Sequence, residues 1–438
     1  MKKAKRYRAG ARLRRSTVIL RASVAGLAVL ICAAAFLLMP AANQIENTDS
    51  ISQASSGQKA PESAPQSQTP SSLPPEAEPA PEVETAPEPE RGTSSITILG
   101  VGDNLIHDGI YRQANRRAGG NGYDFSPVYK RVAPYIEAAD IAVINQETPL
   151  AGNVRPLSGY PRFNSPTELG DELVRIGFDA INHANNHILD QGEEGLRATL
   201  DYWKGQTVPV TGAYYSDEDM EEIRVIEKNG IRSAYIGATE MTNGLSLPQG
   251  SPYRVLLTSD TERLKHLVQK AKSMADVVVV SVHWGTEYTH TPTKQQKALA
   301  QNLVDWGADI IFGNHAHTLQ PLTVLTRASD GAECPVIYAM GNFVSAQDRA
   351  MSMVGGMLRV TVEKDFQSGR TSVTHMDFLP VVTHYEKNFK DITIYPLSQY
   401  SETLATQHGV RQKAPEFNLS YIRQMVAQNI PEKYRSGD

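Results

Sequence analysis

Residues 309–318 read DIIFGNHAHT and combine a short apolar run with two histidines behind a glycine. The apolar run Ile310–Phe312 has the composition of a short buried strand. His315 and His317 follow two positions apart, so both imidazole rings can point at one site. A helical pattern over Lys294–Trp306 precedes the run and stops at a glycine, which commonly ends a helix. Helix, turn, buried strand and polar loop in this order are typical of an α/β fold.

The same order recurs from about Ser95 onward, where apolar runs alternate with helical stretches. This alternation predicts the α/β class. The predicted strands are Ile96–Val101, Ile141–Ile144, Ala180–Asn182, Val208–Thr211, Ser233–Ile236, Val277–Val282, Ile310–Phe312, Val336–Ala339 and Met357–Val362. The predicted helices are Glu168–Ile176, Gly192–Lys204, Asp260–Met274 and Lys294–Trp306.

Clusters of histidine, carboxylate and amide side chains follow the predicted strands. Ligands of an open α/β sheet bind beyond the carboxyl ends of its strands, so we expect these clusters to converge. Such a set, without thiolates, suits Mn²⁺, Fe²⁺ or Zn²⁺, and two such ions can clamp both oxygens of an in-line displacement. The candidates are Asp103, His107, Glu147, Asn185, Asn186, His187, Asp190, His283, Glu287, His315, His317 and Asn342.

Ordinary structural roles are the alternative for several of these candidates. Asp103 follows a strand beside a glycine and fits a turn, and Glu147 fits a helix cap or a solvated carboxylate. The run from Asn185 to Asp190 fits loop and cap chemistry. His283 is followed by Trp284 and a glycine, which fits packing. The two histidines behind Gly313 are the strongest signal of function.

The first 94 residues have a different composition from the rest of the chain. Residues 1–17 are strongly basic, and residues 18–40 contain the uncharged run Ala22–Met39, whose 18 residues span about 27 Å as a helix. This pattern predicts a single-pass transmembrane signal anchor with a cytoplasmic N-terminus and an extracellular C-terminal domain. A signal peptide cleaved near Ala41 is the alternative. Residues 41–94 are rich in Pro, Glu and Ser and are predicted to be a disordered linker.

Several function classes are disfavoured by composition and missing motifs. The formal net charge of −5 gives no argument for a nucleic-acid partner. Two cysteines, Cys32 and Cys334, cannot build a disulfide framework or a four-thiolate zinc site. The sequence contains neither a GxxxxGK[ST] phosphate loop nor a GxSxG nucleophile elbow.

Taken in order from Ser95 to Leu379, the clusters resemble the capsule-biosynthesis CapA family, which is associated with poly-gamma-glutamate synthesis. The motifs that carry the resemblance are Gly102-Asp103, Asn145-Gln146-Glu147 (usually Asn-Leu-Glu in the family), Asn185-Asn186-His187 with Asp190 and Gly192, His283-Trp284-Gly285-x-Glu287, Gly307-Ala308-Asp309, Gly313-x-His315-x-His317 and Tyr338-x-x-Gly341-Asn342-Phe343. That family is similar to the calcineurin-like metallophosphatases. The resemblance therefore implies a four-layer α/β/β/α sandwich over residues 95–390, followed by a C-terminal extension over residues 391–438.

The resemblance also implies roles for the candidate residues. The implied metal ligands are Asp103, Glu147, Asn186, His283, His315 and His317. His187 is implied as the acid that protonates the leaving group or stabilises charge. The residues expected to contact substrate or support the ligands are His107, Asn185, Asp190, Glu287 and Asn342. The superfamily's Asp-x-His start appears here as Asp103 followed by His107, and Glu147 replaces a carboxylate usually supplied by Asp, so one ion and two ions both remain open.

The predicted protein is a membrane-anchored, extracellular, CapA-type protein of capsule or poly-gamma-glutamate biosynthesis with a metal-dependent hydrolase domain. The alternative is a non-catalytic factor for assembly, export or tethering of the polymer. His187 favours catalysis, because a binder needs no proton donor, whereas the family's association with synthesis favours the alternative. The expected partners are the membrane, an anionic polymer such as poly-gamma-glutamate and other capsule-synthesis proteins.

Overall fold

Residues 92–436 of the chain are described by a computed structural model. Strands β1 to β16 are, in order, Thr93–Asn104, Ile141–Gln146, Ala180–Asn182, Val210–Thr211, Ala213–Tyr214, Arg224–Lys228, Ile231–Thr239, Arg254–Val255, Val277–His283, Ile310–Asn314, Leu322–Thr326, Glu333–Ile337, Asn342–Val344, Val354–Asp365, Thr371–Glu386 and Lys390–Pro396. Helices α1 to α10 are, in order, Asp108–Arg117, Ser126–Tyr129, Ala133–Glu137, Glu168–Arg175, Gly192–Gln206, Asp217–Glu221, Thr261–Met274, Lys294–Trp306, Glu402–Gln407 and Leu419–Asn429. Single 3-10 turns occur at Ala350–Met353, Leu397–Gln399, Gly409–Gln412 and Glu432–Tyr434.

Three predicted segments fall on the N-terminal part of the chain: the basic segment 1–17, the anchor 18–40 and the linker 41–94. The first two, and the linker up to residue 91, lie outside the described residues. Strand β1 already begins at Thr93. Within residues 92–436, every helix is too short or too polar to cross a bilayer.

Two mixed sheets carry the fold. The first has the strand order β16-β15-β14-β1-β2-β3-β4, with β13 pairing parallel to the end of β1, and the second has the order β11-β12-β10-β9-β7-β6. Strands β1 to β4 are parallel neighbours in the first sheet, as are β7, β9, β10 and β12 in the second. Because parallel neighbours end at the same edge, the loops behind these strands meet there.

The two sheets pack against each other through one face of each. Tyr235, Val279 and Phe312 of the second sheet belong to the core shared with the first sheet. A Cβ on Gly100 of β1 would lie 2.7 Å from the Phe312 ring, so the sheets are in close contact there. The alternate positions, such as Val280, pack with apolar residues of α7 and α8 in a second core. Burial of both faces explains the continuous apolar runs and confirms the predicted α/β class.

Helix α8 shows why this part of the chain could be predicted. Its bounds match the predicted Lys294–Trp306. Thr293 and Gln296 form a reciprocal capping box at its start, which satisfies two backbone N–H groups. Gly307 ends it with a φ of 127°. The observed strand β12 runs from Glu333 to Ile337, so it begins and ends earlier than the predicted strand Val336–Ala339. The residues that follow Ile337 leave the sheet.

The C-terminal end of the domain lies beyond its predicted position. The predicted domain end at residue 390 is the first residue of β16. Residues 391–436 continue the same compact unit, with Ile394, Phe417 and Val426 fully buried. Strand β15, Thr371–Glu386, escaped prediction because its first half is partly exposed and shows little apolar alternation. Residues 391–436 are therefore part of the domain rather than an appendage to it.

A buried aromatic cluster joins this C-terminal segment to β15. His384 Nδ1 lies 2.8 Å from the Tyr400 hydroxyl. His408 Nε2 donates to Thr383 O at 2.9 Å, and its Nδ1 accepts from the Val410 N–H at 2.9 Å. Burial lowers the pKa of His384 to about 4 and that of His408 to about 3, because a charged ring would lose its hydration. Both rings are therefore neutral in the folded protein at neutral pH.

Folding should become less favourable as the pH falls below the ordinary histidine pKa of 6.5. The unfolded chain then binds protons that the folded cluster rejects, at a cost of about 2 kcal/mol per histidine at pH 5. His408→Asn keeps an acceptor for the Val410 N–H but removes one titrating ring. We expect this variant to be less stable than wild type at pH 7. Between pH 7 and pH 5, however, its free energy of unfolding should fall by about 2 kcal/mol less than that of wild type. Urea unfolding at both pH values measures this difference. His375→Asn, at a side chain that is 67% exposed, is the control, and equal losses in His408→Asn and wild type would contradict the assignment.

Candidate metal centre

The polar loops behind five strands meet at one edge of the two sheets. Their central side chains come from the ends of β1, β2, β3, β9 and β10 and are at most 3% exposed: Asp103, Glu147, Asn186, His283, His315 and His317. The structure thus brings together all six predicted metal ligands, which are separated by more than 200 residues in the sequence.

Asp103 is positioned by a close approach between two backbone segments. A Cβ on Gly102 would lie 2.0 Å from Gly341 O, so only glycine fits there. The Asp103 N–H donates to the same oxygen at 2.9 Å. The Asp103 carboxylate accepts from Asn145 Nδ2 at 2.8 Å and from the His315 N–H at 3.2 Å. These contacts fix the carboxylate against the loop behind β10.

Asp103, Glu147 and His317 form the first group of donors, with one ligand atom of each within 4.8 Å of the others. His317 Nδ1 lies 3.2 Å from Asp103 Oδ2, and His317 Nε2 lies 3.7 Å from Glu147 Oε1. Among the described residues, neither carboxylate oxygen of the buried Glu147 has a hydrogen-bond partner. A buried carboxylate without a hydrogen bond is costly, and a divalent ion would satisfy it. Carboxylate oxygens with imidazole suit a divalent transition ion, so these residues fit such an ion.

The charges in this first group are strongly coupled. Burial and the neighbouring Asp103 raise the pKa of Glu147 well above its usual range. Burial opposes a charge on His317, but the Glu147 and Asp103 carboxylates outweigh it and raise the pKa of His317 to about 9. In the absence of an ion, a proton shared within this group therefore reduces the repulsion between the two carboxylates.

Asn186, His283 and His315 form a second group of donors beside the first. His283 Nε2 lies 3.0 Å from Asn186 Oδ1 and 3.0 Å from His315 Nδ1. Burial lowers the pKa of His283 well below its usual value and that of His315 to about 4. Both rings are therefore neutral, as metal ligation requires. Glu147 Oε1 lies 3.6 Å from His283 Nε2, so this carboxylate lies between the two groups.

His187 lies next to the donor groups and is held from three sides. Its Nδ1 donates to Asp190 Oδ2 at 2.7 Å, and its backbone N–H donates to Asn185 Oδ1 at 3.1 Å. Its ring packs edge-on against Phe163, with centroids 4.7 Å apart. The Phe163 N–H donates to the same Asp190 oxygen at 2.7 Å. With Nδ1–H directed at the carboxylate, Nε2 is the ring nitrogen left for another partner.

A cavity of about 700 Å³ opens above these groups and is lined by Asn186, His187 and His317. His107 also lines it, but burial lowers its pKa to about 4 and its Nδ1 faces backbone atoms of Leu105 and Ala346. His107 is therefore a cavity wall residue rather than part of either donor group.

The other predicted supporting residues occupy three kinds of position. Asn342 Oδ1 lies 3.0 Å from His317 Nδ1. Asn185 Nδ2 donates to Gln146 O at 2.9 Å, which ties two of the polar loops together. Glu287 is exposed at the mouth of the cavity.

Sequence reasoning left several residues of this region without a role. Asn145 belongs to one of the motifs but had no predicted role. Its side chain donates to Asp103 and accepts from Asn182 Nδ2 at 2.9 Å, so it links these two residues. Asn243 accepts from Asn186 Nδ2 at 3.3 Å from a separate loop, and its φ of 52° matches the turn signal of an Asn-Gly pair. Arg162, Tyr288 and Arg349 line the cavity without any local sequence signal.

Fold and side chains together define an α/β protein with a candidate metal centre of carboxylates, imidazoles and an amide at the strand ends. Residues 97–347, more than half of the chain, match the family described as bacterial capsule synthesis protein PGA_cap, and the chain belongs to this family. The family match confirms the resemblance predicted from the strand-end motifs.

Two relatives and one solved structure show the extent of the similarity. The chain is 31% identical over 254 residues to the PGA biosynthesis protein CapA of Bacillus subtilis (strain 168), covering 57% of this chain and 64% of that protein. It is 30% identical over 269 residues to the capsule biosynthesis protein CapA of Bacillus anthracis, covering 60% and 62%. The chain thus spans less than two thirds of either relative. A solved structure described as a novel phosphatase from Mycoplasma pneumoniae aligns with a TM-score of 0.42 and 15% identity, over 66% of this chain and 94% of that one.

Glu147→Gln should separate the cost of the buried carboxylate from its use as a ligand. The amide keeps the shape but not the charge, so we expect a higher Tm than wild type in EDTA. Mn²⁺ at about 100 times its Kd should stabilise wild type by about 2.7 kcal/mol and the variant far less. Thermal unfolding with EDTA or Mn²⁺, together with elemental analysis, measures both effects. Glu287→Gln, at the exposed cavity mouth, should keep the full Mn²⁺ response, and an undiminished response in Glu147→Gln would refute its role as a ligand.

Proposed function

We propose that the chain is a metal-dependent hydrolase of capsule or poly-gamma-glutamate biosynthesis, acting on a phosphoester or an amide of an anionic polymer. The observation that carries this proposal is the buried Glu147 carboxylate, which lies between His283 and His317 but has no hydrogen-bond partner among the described residues. The names of the two CapA relatives support the biosynthetic context. The two facing sheets, with α7 and α8 on the outer face of the second, are compatible with the predicted four-layer sandwich of the metallophosphatase type.

The two donor groups would hold two divalent ions rather than one. Asp103, Glu147 and His317 would hold the first ion, and Asn186, His283 and His315 would hold the second. Bound ions of this kind supply Lewis acidity toward a substrate oxygen and make water a better nucleophile. The donor set favours Mn²⁺, Fe²⁺ or Zn²⁺.

His187 would act as the general acid. Asp190 accepts from Nδ1 and stabilises the positive charge of the doubly protonated ring, while Nε2–H is available to the cavity. As the bond to the leaving oxygen or nitrogen breaks, that atom takes the proton from Nε2, and a neutral ring remains with Nδ1–H on Asp190. Phe163 and Asn185 hold the ring in place, so this transfer requires no reorientation.

A non-catalytic factor for assembly, export or tethering of the polymer is the second candidate function. The names of the relatives favour it, since they describe biosynthesis rather than degradation. The two candidates differ in one requirement, because a polymer binder has no use for a proton donor beside its metal ligands. The His187–Asp190 pair therefore favours hydrolysis.

His187→Ala should lower kcat by about 10²–10⁴-fold while leaving the metal content unchanged, because a general acid acts only as charge builds on the leaving atom. The assay compares wild type and variant at equal Mn²⁺ occupancy on a phosphodiester, a phosphomonoester and poly-gamma-glutamate. Asp190→Asn should lower kcat in the same direction, since the amide no longer stabilises the charged ring. Wild-type inactivity on every substrate would favour the binding function, and loss of metal in His187→Ala would make His187 a ligand instead.

We further propose that the protein is held at the cell membrane by residues 18–40, with its C-terminal domain outside. The support is the basic segment 1–17 ahead of the uncharged run Ala22–Met39. Full-length protein should then sediment with membranes, and protease added to intact cells should remove the domain. A soluble mature form that begins near Asn43 would instead show that the segment is a cleaved signal.

A further inference from the structure

Two arginines line the cavity above the metal centre without a role in the proposed chemistry. Arg162 and Arg349 are both exposed. Neither forms an ion pair with any residue between positions 92 and 436, whereas Arg155, in the same loop as Arg162, is paired with Glu194. Arginines left unpaired beside a polar cavity are available to a ligand.

Arg349 is held over an aromatic ring. Its guanidinium lies 4.1 Å from the centroid of the Tyr288 ring, a cation–π distance. The Tyr288 N–H donates to Ala316 O at 2.8 Å, within the loop that carries the predicted ligands. The Tyr288 and His317 ring centroids are 5.9 Å apart. Stacking on this ring restricts the guanidinium and leaves its N–H edge free for an anion.

A hydrogen-bonded chain connects this aromatic ring to the metal centre. Gln347 Nε2 donates to the Tyr288 hydroxyl at 3.2 Å, and Gln347 Oε1 accepts from Asn342 Nδ2 at 2.8 Å. Asn342 Oδ1 in turn lies 3.0 Å from His317 Nδ1. Arg349 is therefore placed with respect to His317 by side chains that are themselves fixed.

Arg162 is anchored beside the proposed proton donor. The next residue, Phe163, packs edge-on against the His187 ring and donates its N–H to Asp190. The two arginines are thus attached to different parts of the site, one next to His187 and the other next to His317.

The acidic residues at the cavity mouth do not neutralise this pair. Asp348 is paired with Lys413, and Asp190 is occupied by His187. Glu287 is the remaining exposed carboxylate among the described residues that line the cavity. The cavity mouth therefore has two arginines without an ion pair, Arg162 and Arg349, and one exposed carboxylate, Glu287.

We infer that Arg349, stacked on Tyr288, and Arg162 form an anion subsite that binds carboxylate groups of an extended polymer passing over the metal centre. The guanidinium fork matches a carboxylate in two parallel hydrogen bonds. Two arginines on separate loops suit anionic groups repeated along a chain better than one isolated anion. Phosphate shares this chemistry, so the test must distinguish the two. The inference rests on the proposed function, which supplies the polymer whose carboxylates the two arginines would bind.

The test measures binding of a fluorescently labelled gamma-linked glutamate oligomer to the full-length protein by anisotropy, with Mn²⁺ and in EDTA. Arg349→Gln should weaken binding about tenfold or more under both conditions, and Arg162→Gln should weaken it in the same direction. Arg349→Lys should recover only part of the loss, because an ammonium lacks the planar fork. Arg131→Gln is the matched control, since Arg131 is exposed, lies 4.3 Å from the Tyr395 ring centroid and does not line the cavity. Metal content and Tm identify any variant that has not folded.

Equal oligomer affinities of Arg349→Gln and Arg131→Gln would overturn the inference, as would failure of the wild type to bind the oligomer. Arginine-dependent binding of a polyphosphate chain, with no binding of the glutamate oligomer, would overturn the assignment to carboxylates in favour of phosphates. Arginine-dependent binding of the oligomer, with no turnover of the phosphodiester, the phosphomonoester or poly-gamma-glutamate, would uphold the subsite and refute the hydrolase. If Arg349→Gln turns over the polymer as wild type does, the hydrolase is upheld and the subsite is refuted.

Discussion

Two carboxylates, Asp103 and Glu147, are fully buried at the meeting point of two sheets, and this repulsive pair governs what surrounds it. Hydration cannot stabilise charges in such a place, so the stabilisation must come from neighbouring groups or from an ion. Asp103 receives an amide N–H and a backbone N–H, whereas Glu147 receives neither. The difference makes Glu147 the residue whose burial only a cation or a proton explains.

The rest of the fold holds this unfavourable arrangement in place. The close approach of Gly102 to Gly341 brings the end of β1 against the loop that joins β12 to β13. His315 and His317 have φ values of 90° and 53°, a region that residues with a side chain seldom adopt. Such backbone strain persists only where the surroundings over-determine it, and here the two packed sheets on either side supply that constraint.

How much of this could be read from the sequence depended on whether the information was local. Helix α8 carries its own capping box, and β9 is apolar except for Ser281 and the terminal His283, so both could be located without tertiary structure. The rule that parallel strands end at one edge predicted that His283 and His317 lie close together, whereas their convergence with Asp103 also requires the packing of the second sheet on the first. Strand β15 was missed although it pairs with its chain neighbours β14 and β16, because its first half is partly exposed and shows little apolar alternation.

Residues of the cavity wall could not be located by the same rule. Arg349 and Tyr288 meet across 61 residues of sequence, and nothing in their flanking residues distinguishes them from other arginines and tyrosines. The position of Arg162 depends on the packing of its neighbour Phe163 against His187, a contact that only the folded chain creates. Local pattern therefore indicates the metal-ligand candidates at the strand ends, while the groups that would select a substrate come from loops placed by tertiary packing.

The charges of the interior and of the mouth have opposite consequences for an anionic polymer. Without ions, Asp103 and Glu147 make the floor of the cavity repel carboxylates or phosphates. Two divalent ions would reverse that sign, because they carry more charge than the two carboxylates they bind, so affinity for an anionic chain would rise with metal loading. Arginines at the mouth act on the same chain whether or not ions are bound, and their exposure leaves them open to screening by salt. The part of the polymer affinity that depends on metal would therefore come from the floor of the cavity. The part that remains in EDTA and falls with salt would come from the arginines at the mouth.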